Sequence, residues 1–135
     1  EYKELAAHCK KHQNEFVSTP FDLGAVDMLN PLVRYFKIAS ADITNPPLLK
    51  KVATTGKPVI LSSGASSIGE IDAALAILRS AGAKEICLMH CILNYPTRNE
   101  NAHLGMLIDL SPIAFRRRPA KLMQRDFLAV IKPCD

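Results

Sequence analysis

Short apolar segments alternate with segments of helical periodicity along most of this 135-residue chain. We predict strands in the four apolar segments, which cover residues 15–19, 35–40, 57–64 and 85–93. Continuous apolar strands that alternate with amphipathic helices are typical of a parallel sheet covered by helices. The pattern therefore predicts an α/β fold, either an open doubly wound sheet or part of an eight-stranded barrel.

The segments between the predicted strands carry helix start and stop signals. We predict helices over residues 1–12, 22–29, 45–55, 67–82 and 101–110. Asp22 and Ser67 are suitable N-cap residues, and Glu70 completes a capping box with Ser67. The Gly-rich dinucleotide fingerprint follows none of the strands, which weakens a Rossmann-type interpretation.

The charge distribution is uneven, although the net charge is only +4. Six basic side chains crowd the last fifth of the chain, in a segment with no clean helical or strand period. A basic segment can suit nucleic acid or another anionic surface. Ordered aromatic stacking positions are sparse there, so the sequence does not favour a nucleic-acid partner.

The four cysteines do not form a recognisable metal or redox motif. Cys87 and Cys91 are separated by three residues inside an apolar segment, which indicates buried free thiols. The sequence shows no signal peptide and no apolar segment long enough to span a bilayer, so we expect no membrane association and a cytoplasmic location.

Polar side chains stand at the carboxyl end of every predicted strand. They are Ser18 and Thr19, then Lys37, Ser40 and Asp42, then Ser62, Ser63 and Gly64, and finally His90, Asn94 and Tyr95. In either α/β architecture ligands bind at this edge of the sheet. We therefore expect these groups to converge on one rim.

Each group admits a functional and a structural interpretation. Lys37 could bind a phosphate or carboxylate, act as a Schiff-base amine, or extend its ammonium group to solvent. Asp42 could be an acid/base group or a turn residue. His90 could be a ligand, a base or a satisfied core residue. Ser62 and its neighbours could bind an oxyanion, aided by the positive end of the following helix, or simply cap that helix.

Together these motifs resemble the sialic acid synthase family, which includes N-acetylneuraminate, legionaminic acid and spore coat polysaccharide synthases. The matching segments are FVSTPFD, FKIASADITNPPLLKKVATTGKPVILSSGASSIGEI and MHCILNYPTRNENAHLGML, which lie within about residues 15–110. Such enzymes condense phosphoenolpyruvate with an N-acylated sugar of the N-acetylmannosamine type and release phosphate.

The resemblance implies roles for several residues of the rim. Lys37 would grip phosphoenolpyruvate, with Thr19 and Ser62 near its phosphate group and Ser40 beside the lysine. Asp42 stands where many members carry glutamate, close to the sugar.

Two further residues would lie on the sugar side. Tyr95 matches a family tyrosine, and Asn94 stands next to Leu93, where the family often has a polar residue.

The resemblance also implies an architecture. We expect residues 1–110 to form a partial TIM (β/α) barrel of about four βα units out of eight, followed by an atypical basic tail at 111–135. The full-length enzyme would be a homodimer that uses a divalent metal, Mn or Mg, whose ligands have no counterpart in this chain. We therefore expect the chain alone to lack synthase activity. The alternatives are a Schiff-base aldolase acting through Lys37 and a non-catalytic anion-binding or assembly module.

Overall fold

The computed structural model of this chain describes residues 1–94, 96–115 and 129–130. Their strands form one parallel sheet, made of β1 (Phe36–Ile38), β2 (Val59–Ser62), β3 (Ile86–His90) and β4 (Ala129–Val130). The strands lie in sequential order, and each pair is parallel. A doubly wound sheet reverses its strand order at a switch point, whereas barrel units follow one another around the axis. The α/β parallel sheet is confirmed, and the extent of a barrel stays a prediction.

Five helices belong to the described part of the chain. They are α1 (Tyr2–Lys11), α2 (Leu23–Leu29), α3 (Pro46–Ala53), α4 (Ile68–Ser80) and α5 (Met106–Phe115). The predicted caps form: Asp22 accepts a hydrogen bond from the Ala25 amide at 2.7 Å, and Ser67 and Glu70 make the full capping box. Within the described residues, no helix is long and apolar enough to cross a membrane.

One face of the sheet packs against the helices and forms the core. Its strand residues are completely or almost completely buried, and they include Phe36, Ile38, Val59, Leu61 and Leu88. Apolar side chains of the covering helices belong to the same cluster, among them Leu49, Val52, Ile71, Leu75 and Leu78. This arrangement follows from the strand period of two, because alternate residues must face the same side.

The other face, here called the second face, carries the alternate residues Lys37, Ile60, Ser62, Cys87 and Met89. Lys37, Ile60 and Cys87 lie in one row across the three strands and are half-buried. Ser62 and Met89 are paired further along, toward the carboxyl end, and are buried. The second face is therefore where a charged side chain has room.

The predicted strand at residues 15–19 is wrong, since the structure has neither helix nor strand there. Phe16 instead packs against the core and meets the Tyr2 ring edge-on, with ring centroids 6.4 Å apart. Glu15 pairs with Arg34 at 3.5 Å. Five apolar-rich residues are too few for periodicity to distinguish a strand from a packed loop.

Helix α5 begins five residues later than predicted for 101–110. Residues Asn99–Asn101 form a 3₁₀ turn, and His103 has a positive φ of 46°. The Met106 amide then donates to the His103 carbonyl at 2.9 Å, which starts the helix. The helix continues past the predicted division at residue 110 and contains Pro112. The rest of the predicted tail, 116–128 and 131–135, lies outside the described residues.

The other three predicted strands are all shorter in the structure, and β2 covers Val59–Ser62 rather than residues 57–64. Strand β1 ends at Ile38 because Ser40–Asp42 form a 3₁₀ turn, and β3 ends at His90 rather than at residue 93. Both strands therefore stop where the polar rim residues begin.

We predict that Leu61→Ala lowers the free energy of unfolding by about 3 kcal/mol, because it leaves a cavity between the sheet and the helices. Ile60→Ala removes a side chain of the same size from the second face, where Ile60 is half-buried, and should cost less than half as much. Urea unfolding of both variants measures the difference. Equal losses would contradict this assignment of the two faces.

Candidate anion-binding site

The candidate site lies at the carboxyl end of β1 and β2, on the second face. Lys37 pairs with Ile60, so Ser62 stands two residues further along the neighbouring strand. The usual strand rise and spacing put the Cα atoms of Lys37 and Ser62 about 8 Å apart. A lysine side chain leaning along its strand can therefore share a small ligand with the Ser62 hydroxyl.

Ser62 has the least satisfied side chain of the candidate site. It is 2% exposed, and its Oγ makes no hydrogen bond with any residue that the structure describes. A buried hydroxyl without a partner costs about 1–3 kcal/mol. The arrangement suits a ligand that supplies the missing hydrogen bond.

Lys37 is also without an ion-pair partner in the described part of the chain. Three ion pairs are found there, and they join the amino terminus to Glu4, Arg34 to Glu15, and Lys51 to Asp27. Its ammonium charge is therefore not neutralised by a described carboxylate, and an anionic ligand would compensate it.

The turn after β2 is held to both neighbouring strand ends. The Ser63 amide and hydroxyl both donate to the Met89 carbonyl, at 3.0 and 2.9 Å. The Gly64 amide donates to Ser40 Oγ at 2.9 Å. Ala65 has a positive φ of 50°, a conformation that costs an L-residue about 1–2 kcal/mol. The turn that follows Ser62 is therefore anchored on both sides.

The contacts at the start of α4 favour the capping interpretation of this segment over the anion-binding one. Glu70 Oε2 accepts hydrogen bonds from the Ser67 amide at 2.7 Å and from the Ser67 hydroxyl at 2.8 Å. A pocket of about 200 Å³ beside this end is lined by Glu70 together with Ser40, Thr44 and Ser66. The Glu70 carboxylate would repel a phosphate placed there.

Asp42 makes the contacts expected of a turn residue. Its Oδ1 accepts a hydrogen bond from Asn45 Nδ2 at 3.3 Å, and its carbonyl accepts from the Asn45 amide at 3.0 Å. Asn45 in turn caps α3 by accepting from the Leu48 amide at 3.4 Å. Asp42 is half-buried beside the rim, and its acid/base role stays a prediction.

His90 has the contacts of a satisfied core residue. It is 8% exposed, and its Nε2 lies 2.8 Å from the Ala102 carbonyl. Because a carbonyl only accepts, Nε2 carries the proton. His90 thus holds the segment before α5 against the end of β3.

The remaining predicted site residues are less closely assembled. Thr19 is half-buried in the segment before α2, outside the sheet. Asn94 is exposed, and its carbonyl accepts a hydrogen bond from the Thr97 hydroxyl. Tyr95 lies outside the described residues, so its placement on the sugar side stays a prediction.

Sequence reasoning did not assign a role to Lys57, although it belongs to the same motif as Ser62. Its Nζ donates to the carbonyls of Asn30 and Val33, just after the end of α2. Basic side chains commonly satisfy the last carbonyls of a helix, which is the signal that could have identified this role.

The described residues contain no group of three His, Cys, Asp or Glu side chains that could hold a metal ion. They do not fit a metal centre, and the metal expected of the full-length enzyme is not assigned to them.

These features define an α/β protein built of successive βα units, with its candidate site at the carboxyl end of a parallel sheet. The sequence profile of the NeuB family matches residues 1–115. The chain belongs to the NeuB family, which confirms the resemblance drawn from its motifs.

Two relatives illustrate the sequence similarity. The chain is 51% identical over 112 residues to an N,N'-diacetyllegionaminic acid synthase of Campylobacter jejuni, covering 81% of this chain and 34% of that protein. It is 50% identical over 114 residues to an uncharacterised protein of Methanocaldococcus jannaschii, covering 84% and 34%. The chain thus spans about a third of the length of these relatives.

Solved structures show the same similarity in the fold. An N-acetylneuraminic acid synthetase of Leptospira borgpetersenii, in complex with citrate, matches with a TM-score of 0.74 and 35% identity over 82% of this chain and 40% of that chain. A spore coat polysaccharide biosynthesis protein of Bacillus subtilis matches with a TM-score of 0.75 and 34% identity over 83% and 32%. A phospho-2-dehydro-3-deoxyheptonate aldolase of Thermotoga maritima, 20% identical with a TM-score of 0.61, shares the fold.

We predict that Glu70→Gln makes the melting temperature less dependent on pH at acidic pH. Hydrogen bonds from the Ser67 backbone, and then from its hydroxyl, lower the pKa of Glu70 below its usual value of 4.5. The ionised carboxylate therefore stabilises the fold above the unfolded pKa, and this contribution is lost as the pH falls through the folded pKa. The melting temperature of the wild type should consequently fall more steeply than that of the variant between about pH 5 and pH 3.

Glu85→Gln, which removes an exposed carboxylate before β3, controls for the change in net charge. Parallel profiles for the wild type and Glu70→Gln would show that the capping bond does not contribute.

Proposed function

We propose that this chain carries the phosphoenolpyruvate-binding part of a synthase that condenses phosphoenolpyruvate with an N-acylated sugar. The product would be a sialic-acid-like sugar acid, with release of phosphate. Membership of the NeuB family supports the reaction class, as do relatives named for legionaminic acid and N-acetylneuraminate-9-phosphate synthesis. The observation that carries the proposal is the buried Ser62 hydroxyl one strand away from Lys37, each without a described partner for its hydrogen bond or its charge.

Charge and hydrogen-bond chemistry support phosphoenolpyruvate as the ligand. It is a multiply charged anion whose phosphate and carboxylate oxygens accept hydrogen bonds. At an effective dielectric constant of about 20, a cation about 4 Å from one anionic charge contributes about 4 kcal/mol. That is enough to offset the partial desolvation of Lys37, and the Ser62 hydroxyl would donate to the same anion. Thr19 and Ser40 would add donors at the phosphate side.

The sugar would approach from the loops beyond the strands. In the proposed reaction, C3 of phosphoenolpyruvate forms a bond to the aldehyde carbon of the open-chain sugar, and the aldehyde oxygen takes up a proton and becomes a hydroxyl group. Water adds to C2, and the bond between C2 and the phosphate oxygen then breaks, so that C2 becomes the ketone carbon and phosphate leaves. Asp42 would bind a sugar hydroxyl or transfer a proton, with Asn94 and Tyr95 on the same side. No step is assigned to a metal, because the described residues do not fit one.

We predict that phosphoenolpyruvate raises the melting temperature of the wild type, and that Lys37→Met weakens its binding at least about tenfold. The physical reason is the loss of the one unpaired cation on the second face of the described sheet. Melting curves over a range of phosphoenolpyruvate concentrations give both affinities.

Lys84→Met is the matched control for this experiment. Lys84 is an exposed lysine before β3, at the opposite end of the sheet, so its replacement changes the net charge equally without touching the site. Equal weakening by both variants would mean that only the overall charge attracts the ligand. Absence of any shift in the wild type would refute the proposed binding.

A Schiff-base aldolase is the second candidate, because a half-buried lysine without a described ion-pair partner also suits covalent catalysis. We predict that borohydride treatment in the presence of pyruvate leaves Lys37 unmodified, since the proposed lysine acts by charge alone. Mass spectrometry of the digested chain locates any adduct, and Lys37→Met serves as the blank. A reduced pyruvate adduct on Lys37 would favour the aldolase over the synthase.

A further inference from the structure

We propose that Ser40 and Gly64 form a positioning pair, which fixes the turn that follows Ser62 against the end of β1. Ser40 would then act through Gly64, in addition to any direct contact with a ligand. The link to phosphoenolpyruvate binding rests on the proposed function, whereas the pair itself is a property of the fold.

The hydrogen bond between the two residues joins separate βα units. The Gly64 amide, in the turn after β2, donates to Ser40 Oγ in the 3₁₀ turn after β1, at 2.9 Å. The two residues are 24 positions apart in the chain. The Ser40 hydroxyl uses its oxygen as the acceptor, so its own proton remains available for a second hydrogen bond.

Glycine is needed at position 64 because neighbouring residues approach its Cα closely, and not because of its backbone conformation. A Cβ atom built at Gly64 would lie 2.9 Å from Ser40 Oγ, 3.4 Å from Cys91 Cβ and 3.5 Å from the Cys91 carbonyl oxygen. Its φ is outside the left-handed region, unlike those of Gly56 and Gly82. The absence of a side chain therefore lets the ends of β1, β2 and β3 meet at one point.

The turn after β2 is anchored on two sides. The Ser40–Gly64 pair joins it to the end of β1, and Ser63 joins it to β3. Ser63 is tied to the Met89 carbonyl through both its amide and its hydroxyl. Without the Ser40 hydroxyl, the buried Gly64 amide would lose its partner, and the turn would be anchored to β3 alone. The position of the Ser62 hydroxyl relative to Lys37 would then depend on the strand pairing alone.

A double-mutant cycle on phosphoenolpyruvate affinity tests the positioning role. We expect Ser40→Ala to weaken binding about three- to tenfold, in keeping with one lost hydrogen bond, and Gly64→Ala to weaken it at least as much. Because both changes break the same contact, the double variant should bind no more weakly than the weaker single variant. Ser80→Ala, which removes an exposed hydroxyl bonded to the Ile77 carbonyl at the far end of α4, should stay within about twofold of the wild type. Fully additive losses would overturn the proposal.

Amide hydrogen exchange at Gly64 tests the pair without any ligand. We expect slow exchange in the wild type and in Ser80→Ala, and exchange at least about tenfold faster in Ser40→Ala. Unchanged protection in Ser40→Ala would overturn the proposal, even if phosphoenolpyruvate does not bind and the proposed function fails. If Gly64→Ala does not fold, this measurement on Ser40→Ala decides the question.

Discussion

Backbone pairing between β1 and β2 places Lys37 beside Ile60, and the side chains available to a ligand follow from that register. A slip by one residue would turn Lys37 onto the helix-covered face, where Phe36 and Ile38 are completely buried. An ammonium group there would lose its solvation with no compensating anion, at a cost of several kcal/mol. The apolar core therefore enforces the register that presents Lys37 on the second face.

The turn after β2 distributes its polar groups unequally. Ser63 and Gly64 donate hydrogen bonds to residues at the ends of β3 and β1, whereas the buried Ser62 hydroxyl has no partner among the described residues. A fold selected for stability alone would favour alanine or a satisfied hydroxyl at this position. The hydrogen-bonded turn and the adjoining Ser62 hydroxyl together suit a preorganised binding site, in which a ligand would complete the hydrogen bonding.

Local sequence signals predicted the elements that depend on local interactions. The caps at Asp22 and Ser67 form because each needs only residues within one helical turn. The prediction of a strand at 15–19 was wrong because Phe16 packs against the core from a loop, and such a tertiary contact leaves no local signal. In the site, periodicity predicted Lys37 and Ser62 on one edge, but no local pattern could show that Ser40 contacts Gly64, because the two residues are 24 positions apart.

In the proposed reaction, the residues assigned to the anion and those assigned to the sugar lie in different kinds of structural element. Lys37 and Ser62 belong to strands whose register is fixed by the core, so the groups assigned to the anion have little freedom to move. Asp42 and Asn94, assigned to the sugar, lie in a 3₁₀ turn and a loop, where substitution disturbs the core less. Relatives at 30–51% identity are named for different sugar products, including N,N'-diacetyllegionaminic acid, pseudaminic acid and N-acetylneuraminate-9-phosphate. A strand-held anion site with loop-held sugar contacts would allow that diversity, because the loops can change while the sheet that orients the anion stays constant.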